Sequence, residues 1–458
     1  MTTSNHKISR FLIASVLGIT LFSSCKKFVE LGPPPTQTVL EDVFKTDATA
    51  NSAILGLYTG QALPQLIQGF TFMPGMSADD IQYNTSSAAY DEFENNAITV
   101  LNSLNENTIW YYSYMLIKNT NNAIEGLNKS TTLTATVKDQ LLGEAKFLRA
   151  FTYFYLVNFY SAVPMPLTGD ADYLINAVLP RTASNLVWAQ VIADLKDAQA
   201  KLPETYVGTF RARINKSTAT TLLAKAYLYQ KDWVNAETEA SKVIALAPAT
   251  YSLPAPATAF VQTSPEIIWQ IANTTGVSTF GANYLAAAGS IPTFSLYDTI
   301  YKSFEAADLR KTNWTGITTV SSKNYYFVNK YKVRVTSGNE YNIVFRLAEL
   351  YLIRAEARAQ QNNLAGAKTD VETIRTRAGL GALAAGITQP QMLLAIEQER
   401  KVELFGEWGN RWLDLKRTDR ANTVIGGQKA TWKTTSVLYP IPDNQRQGNT
   451  NLTQNAGY

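Results

Sequence analysis

Two glutamates, Glu399 and Glu403, stand four apart in a run whose apolar residues recur at three and four, from Pro390 to Phe405. On a helix that spacing sets both carboxylates on one face. Two carboxyl groups about 5 Å apart are the working pair of a retaining glycosidase. Arg400, Lys401 and Arg411 stand close by in the chain. A carboxylate beside a cation titrates low and makes a poor proton donor. The pair is therefore read as structural, and a carboxylate-dependent glycoside hydrolase is the remote alternative.

The chain holds one His, His6, and one Cys, Cys25. Both lie near the N-terminus. Without others, Ser-His-Asp and Cys-His catalysis are excluded, as are zinc and copper sites built on His or Cys. No Asp or Asn spacing reads as a metal loop, and no cofactor is expected. The net charge of +4 comes from scattered residues with no basic run, which argues against nucleic acid as a partner.

Lys7 and Arg10 precede an apolar stretch from Phe11 to Phe22, which is shorter than a membrane span requires. Ser23-Ser24-Cys25 follows, and resembles a bacterial lipoprotein cleavage box with Phe22 at a position where Leu is usual. The resemblance implies cleavage before Cys25 and acylation of that residue. Two or three acyl chains would hold the protein on a membrane without a spanning helix. Residues 1–24 are thus expected to be a signal peptide. Residues 25–40, with Pro33 to Pro35, are expected to be a lipidated stalk.

The elements that must position any site are helices. Periodic apolar spacing predicts them over Ala48–Tyr58, Thr108–Leu127, Val137–Tyr160, Asn185–Leu202, Ser217–Gln230, Trp233–Leu246, Phe345–Gln360, Leu364–Ala378 and Pro390–Phe405. Ala224, Tyr227, Ala236 and Pro248 fall in the register of a tetratricopeptide-like helix pair, with Ala240 where a larger residue is expected. Ala355 and Ala367 mark a second partial pair. Long segments interrupt these units. Residues 61–107 read as irregular, and residues 249–340 are rich in Thr, Gly, Pro and aromatics, with β-prone runs at Glu266–Ile271 and Tyr325–Val335. The fold class expected is mostly α, with interrupted helix pairs and loop-rich insertions carrying small β elements. The expected parts are 41–248, the insertion 249–340, and 341–458.

Several blocks in order carry a family resemblance. Gly143 to Ala150 leads to Tyr153-Phe154 and Val163-Pro164. Pro180-Arg181 precedes Ile192 to Leu195. Arg346 to Ala357 is followed by Glu399-Arg400, Glu403-Leu404 and Arg411 to Arg417. Tyr439 to Pro442 and Asn451 to Tyr458 close the chain. The sequence resembles the SusD/RagB family of nutrient-binding outer-membrane lipoproteins over nearly its whole length. It departs from the family pattern at Thr450 and Ala456, where Pro is usual. Lys26-Lys27 stand in place of an acidic export run, so surface exposure rests on the family alone. The resemblance implies a SusD-like fold, a lipid anchor on the outer membrane facing the exterior, and a SusC-like TonB-dependent transporter as partner. It implies capture of an oligosaccharide or a peptide, and binding without hydrolysis.

The charges in the helical blocks, Glu144, Arg149, Glu349, Arg354, Glu356, Arg358, Arg411 and Asp414, are expected to be ion pairs that fix helix register, because an unpaired charge among apolar positions is costly. Ligand contacts are expected from the insertions. A sugar ring offers an apolar C–H face to an aromatic ring and hydroxyls to amides and guanidinium groups. Tyr83, Asn84, Tyr284 and Trp314 are the residues selected for this role.

Overall fold

The computed structural model describes residues 40–335 and 337–458. Cys25, the signal segment and most of the stalk lie outside the described residues. The labelled helices are α1 (Asp47–Thr59), α2 (Ala62–Ser77), α3 (Ala88–Glu94), α4 (Tyr112–Lys129), α5 (Ala135–Tyr160), α6 (Ser184–Lys201), α7 (Lys216–Tyr229) and α8 (Trp233–Ile244). After the insertion come α10 (Leu347–Gln360), α11 (Leu364–Arg377), α12 (Gln389–Leu404) and α13 (Asn410–Arg417); α9 (Asp298–Ser303) lies inside it. Among the described residues no helix is long and apolar enough to cross a membrane.

The α7–α8 and α10–α11 hairpins are built alike. Each turn contains one residue in the left-handed region, Lys231 (φ 58°) or Asn362 (φ 61°). The next residue, Asp232 or Asn363, caps the second helix by accepting from the backbone N–H three residues on. Ala224, Ala236, Ala240, Ala355 and Ala367 are wholly buried. Small side chains there let the helix axes close up, which is why the tetratricopeptide-like register is visible in the sequence. Helix α8 also packs on α10, so the two hairpins are neighbours although the insertion separates them in the chain.

Helix α5 is the central post. Phe147, Phe151, Phe154, Tyr155, Phe159 and Tyr160 are all buried. Phe70 of α2 stacks on Tyr155 at 4.1 Å, and Tyr439 near the C-terminus stacks on Phe159 at 5.1 Å. The expected ion pairs are present. Arg149 grips Asp194 of α6 with two bonds of 2.8 and 2.7 Å. Glu144 takes Arg213, Lys225 meets Glu349, Arg354 grips Asp370, Arg358 takes Glu237 and Asp370, Arg417 holds Glu356, and Asp414 lies between Arg400 and Arg417. Nearly every pair joins two different elements, so each fixes the slide of one against another.

Residues 61–107 depart from the irregular reading. Helix α2 is buried on almost every face, from Phe70 and Phe72 to Met73 and Met76. A helix that is apolar all round has no stripe for periodicity to reveal. Gly69 and Gly75 allow close contact: a Cβ on Gly69 would lie 3.0 Å from the carbonyl oxygen of Thr108.

Three two-stranded antiparallel sheets form: β1 (Ile81–Tyr83) with β3 (Phe294–Leu296), β2 (Ile267–Ile271) with β6 (Asn342–Arg346), and the hairpin of β4 (Thr315–Val320) and β5 (Lys323–Val328). The β2–β6 pair is fully buried and clamps the base of the insertion. The β1–β3 pair ties the middle of the insertion to the segment after α2, in the register Tyr83 opposite Phe294.

Candidate functional site

The segment after α2 is pinned by two consecutive carboxylates. Asp79 accepts from Arg411 at 2.7 and 3.2 Å and lies 3.3 Å from Lys401. Burial alone would raise its pKa, but the bonds and charges of Arg411 and Lys401 hold it below the usual carboxylate value. Asp80 is buried, and among the described residues no cation is in direct contact with it. It accepts from the backbone N–H of Gly406 at 2.9 Å, and burial pushes its pKa up to about 7. Gly406 has φ +67°, and a Cβ there would lie 2.8 Å from Val328. The backbone of Asp80 also takes the N–H of Tyr297 at 3.2 Å, which extends the β1–β3 ladder.

Beyond this anchor the chain presents Tyr83. Its ring stacks on Tyr90 of α3 at 4.1 Å, and both lean on Phe294. Its backbone N–H donates to Glu94 at 3.1 Å. Burial raises the carboxyl of Glu94 and the phenol of Tyr90, the latter with help from Tyr83. A second pair repeats the arrangement. Tyr301 of α9 stacks on Tyr326 of β5 at 3.9 Å and 14°. Lys311 covers Tyr301 at 4.6 Å. The β4–β5 hairpin turns through Ser321 and Ser322, both at positive φ. The ring of Phe327 lies over Gly316, where a Cβ would meet it at 2.2 Å. All four tyrosines are half-buried. Among the described residues none of their hydroxyls has a protein hydrogen-bond partner. Two stacked, semi-exposed tyrosine pairs thus stand on elements packed against β3, one beside its partner strand β1 and one on the β4–β5 hairpin. Each offers an aromatic face that can hold flat apolar ring surfaces while free phenols hydrogen-bond at the edge.

Of the residues selected from the sequence, Tyr83 is in one of these pairs. Asn84 is beside it, but its amide is engaged: it donates to the carbonyl of Pro292 at 2.9 Å and accepts from Ser295 at 3.3 Å. Asn84 therefore fixes the loop. Tyr284 and Trp314 are corrected. Each is 1% exposed. The Tyr284 hydroxyl donates to the carbonyl of Gly406 at 3.0 Å, and its ring packs edge-on to Phe72. The Trp314 indole N–H donates to the carbonyl of Pro256 at 2.7 Å, and Lys330, Arg346 and Arg377 surround its ring at 5.0, 5.7 and 5.1 Å. Neither ring has an open face for a ligand. Tyr301 and Tyr326 are not among the residues that the sequence points to. Adjacent strand residues point to opposite faces, but the run Lys323–Val328 has no alternation of polar and apolar residues to single out Tyr326 from Tyr325.

Glu399 and Glu403 do lie on one helix face, and both are buried. Their neutralising partners differ from those nearest in sequence. Arg310 bridges them at 2.5 and 2.9 Å. Glu403 also takes Arg346 at 2.8 Å and Arg377 at 2.5 Å. Burial opposes ionisation of Glu403, but the three guanidinium groups hold its pKa far below the ordinary value, while burial raises that of Glu399. Arg400 instead pairs with Asp414, and Arg411 with Asp79. The network extends through Asp308, Glu266, Arg375, Lys330 and Glu407, and Arg375 carries it outward to the partly exposed Glu305 at 2.6 Å. Among the described residues no group of His, Cys, Asp and Glu is placed to hold a metal ion.

Two family models match the chain. One, described as the SusD family, matches residues 297–458. The other, described as starch-binding associating with outer membrane, matches residues 38–228. SusD-like protein P2 of Formosa agariphila is 26% identical, covering 91% of this chain and 94% of its own. SusD-like protein P25 of the same organism is 25% identical, covering 90% of each. A SusD superfamily protein from Bacteroides vulgatus superposes with a TM-score of 0.80 at 20% identity, covering 91% of this chain and all of its own. A laminarin binding SusD-like protein gives a TM-score of 0.75 at 22% identity, covering 90% of this chain and all of its own.

Proposed function

The chain belongs to the SusD/RagB family, and from that premise we propose that it is a lipid-anchored receptor that captures an oligosaccharide and hands it to a TonB-dependent barrel transporter. The observation that carries the ligand class is the pair of tyrosine stacks, Tyr83–Tyr90 and Tyr301–Tyr326, on elements packed against β3. Each pair is pre-stacked, so little side-chain freedom is lost when a sugar ring settles on it. The laminarin-binding relative and the starch-binding description of the N-terminal match support the same class. Catalysis has no part in this reading, because the one plausible carboxylate pair is closed into the buried ion network.

Cys25 supplies the tether and holds the protein beside the transporter. There it raises the local concentration of a weakly held glycan at the pore mouth. The direct test is retention of the purified chain in native gels containing laminarin, starch or other neutral glycans. Tyr83→Ala and Tyr326→Ala are expected to release it by about tenfold each, with unchanged melting temperature. Retention by none of the glycans, with tight binding of a peptide library instead, would move the cargo to peptides. Mass spectrometry of Cys25 and co-purification of the transporter test the remaining two parts. An unmodified thiol, or no transporter in the membrane extract, removes the corresponding part.

A further inference from the structure

A groove of about 690 Å³ opens between α4, the loop 164–177 and the C-terminal helix Asp443–Gly448. Its volume lies within the range of about 300–1,000 Å³ usual for small-ligand sites. It shares no residue with the tyrosine face. Two tyrosines line it with their rings largely in solvent, Tyr111 at 49% and Tyr173 at 63% exposure. Tyr111 ends a stretch of π-helix, Leu104–Tyr111, that runs directly into α4. Wide turns of this kind are rare and are concentrated at functional sites.

Behind the exposed rings the groove is rigid. Trp110 packs edge-on to Tyr160 and tilts against Tyr114. Tyr114 donates to the carbonyl of Pro164 at 2.8 Å. Asn121 secures the loop by donating to the carbonyls of Pro166 and Thr168 at 3.0 and 3.1 Å. On the far wall, Glu106 accepts from the amide NH2 groups of Asn444 at 2.8 Å and Gln445 at 3.4 Å, which leaves their amide oxygens free as acceptors. Asn119 is exposed, and among the described residues its amide has no partner. Among the described residues the charges lining the groove, Lys118 and Asp170, neutralise each other at 3.0 Å.

Exposed flat rings, the unengaged amide of Asn119, the amide oxygens of Asn444 and Gln445 and no net charge are surroundings that suit a neutral sugar chain. An acidic or basic ligand would have to compete with the Lys118–Asp170 pair for an opposite charge. The apolar side chains of the short helix Tyr173–Asn176 and its end, Leu174, Ile175 and Val178, do not line the groove. Tyr173, Asn176 and Ala177, spaced at three and four, do. We infer that this groove is a second saccharide site for a neutral glycan, held between Tyr111 and Tyr173 and hydrogen-bonded by Asn119. The inference rests on the carbohydrate-binding reading above and adds a second contact to it. Two sites on one polymer would act together, so each could be weak alone and the pair still retain a long chain.

The test compares four forms of the full chain in native gels containing laminarin or soluble starch: wild type, Tyr111→Ala/Tyr173→Ala, Asn119→Ala, and Tyr83→Ala/Tyr326→Ala. Melting temperatures are measured in parallel. Asn119→Ala replaces an exposed helix residue with a better helix former, so it keeps its fold even if the double variant does not. The expected result is at least about tenfold weaker retention for Tyr111→Ala/Tyr173→Ala and a smaller loss for Asn119→Ala, both without a fall in melting temperature. If wild type is retained, the face variant is weakened and both groove variants behave as wild type, the groove inference is overturned and the receptor reading stands. If wild type is retained by neither glycan and by no other neutral glycan, both fall together. If the groove variants keep their glycan retention but lose the co-purifying transporter, the groove is a protein-docking surface and the inference is also wrong.

Discussion

Replacing Asp80 with Asn tests the anchor beneath the tyrosine face. The carboxyl group is buried, and its folded-state pKa is about 7 against 3.8 for the free side chain. Between those values the folded protein holds a proton that the unfolded chain releases. Stability from this group is therefore complete below about pH 4 and is lost as the pH rises through 7. The gap of about three units, at 1.36 kcal/mol each, corresponds to about 4 kcal/mol. Asn is near in shape, can still accept the Gly406 N–H, and does not titrate. The stability of Asp80→Asn relative to wild type should therefore climb by about 4 kcal/mol between pH 4 and pH 8. Nearly all of the rise should fall between pH 4 and 7. Chemical denaturation of both proteins at several pH values across that window gives the difference directly, and titrations common to both cancel. A difference that stays flat from pH 4 to 8 would refute the assignment of the uncompensated carboxyl to Asp80. The functional counterpart is that wild type and Asp80→Asn should bind glycan alike at pH 5.

Glu403→Gln removes the carboxylate shared by Arg310, Arg346 and Arg377 and leaves those cations under-neutralised in the core. A loss of about 3–5 kcal/mol is expected, seen as a marked drop in melting temperature; an unchanged melting temperature contradicts the network's role. Tyr284→Phe deletes the bond to Gly406 and should cost about 1 kcal/mol of stability while leaving glycan retention untouched. Weakened retention at unchanged stability would return Tyr284 to the ligand site. Trp314→Ala should cost about 3–5 kcal/mol through the cavity it opens, measured by denaturation. Less than about 1 kcal/mol would show that the ring is not packed as described.

The helices were readable because most have one buried face, so a period of three and four survives in the sequence. Helix α2 was not readable for the opposite reason: burial on all sides erases the stripe. The same blindness affected the site. Tyr83, Tyr284 and Trp314 are large aromatics in polar, turn-rich surroundings, and composition does not distinguish them. What separates them is the third dimension: Trp314 is covered by cations from positions 330, 346 and 377, none of which is adjacent in the chain. The charge pairing of Glu403 was hidden likewise, since Arg310 stands in the insertion while the nearby Arg400 turns to Asp414. Tyr111 and Tyr173 line one groove although they stand far apart in the chain, because the loop after α5 returns to α4 through Asn121's bonds to Pro166 and Thr168.

The buried electrolyte beneath the insertion sets the rules for exchanging recognition parts between relatives. A transplant of the stretch from Tyr301 to Tyr326 swaps more than surface rings. It also carries Arg310, whose partners Glu399 and Glu403 belong to the recipient's α12. A donor segment lacking a guanidinium at that place would leave the recipient's buried Glu399 with Arg375 at 3.6 Å as its remaining cation among the described residues, and would take one of three guanidinium partners from Glu403. Viable chimeras must then either keep the Asp308–Arg310 pair and vary only what projects beyond it, or transfer α12 together with the loop.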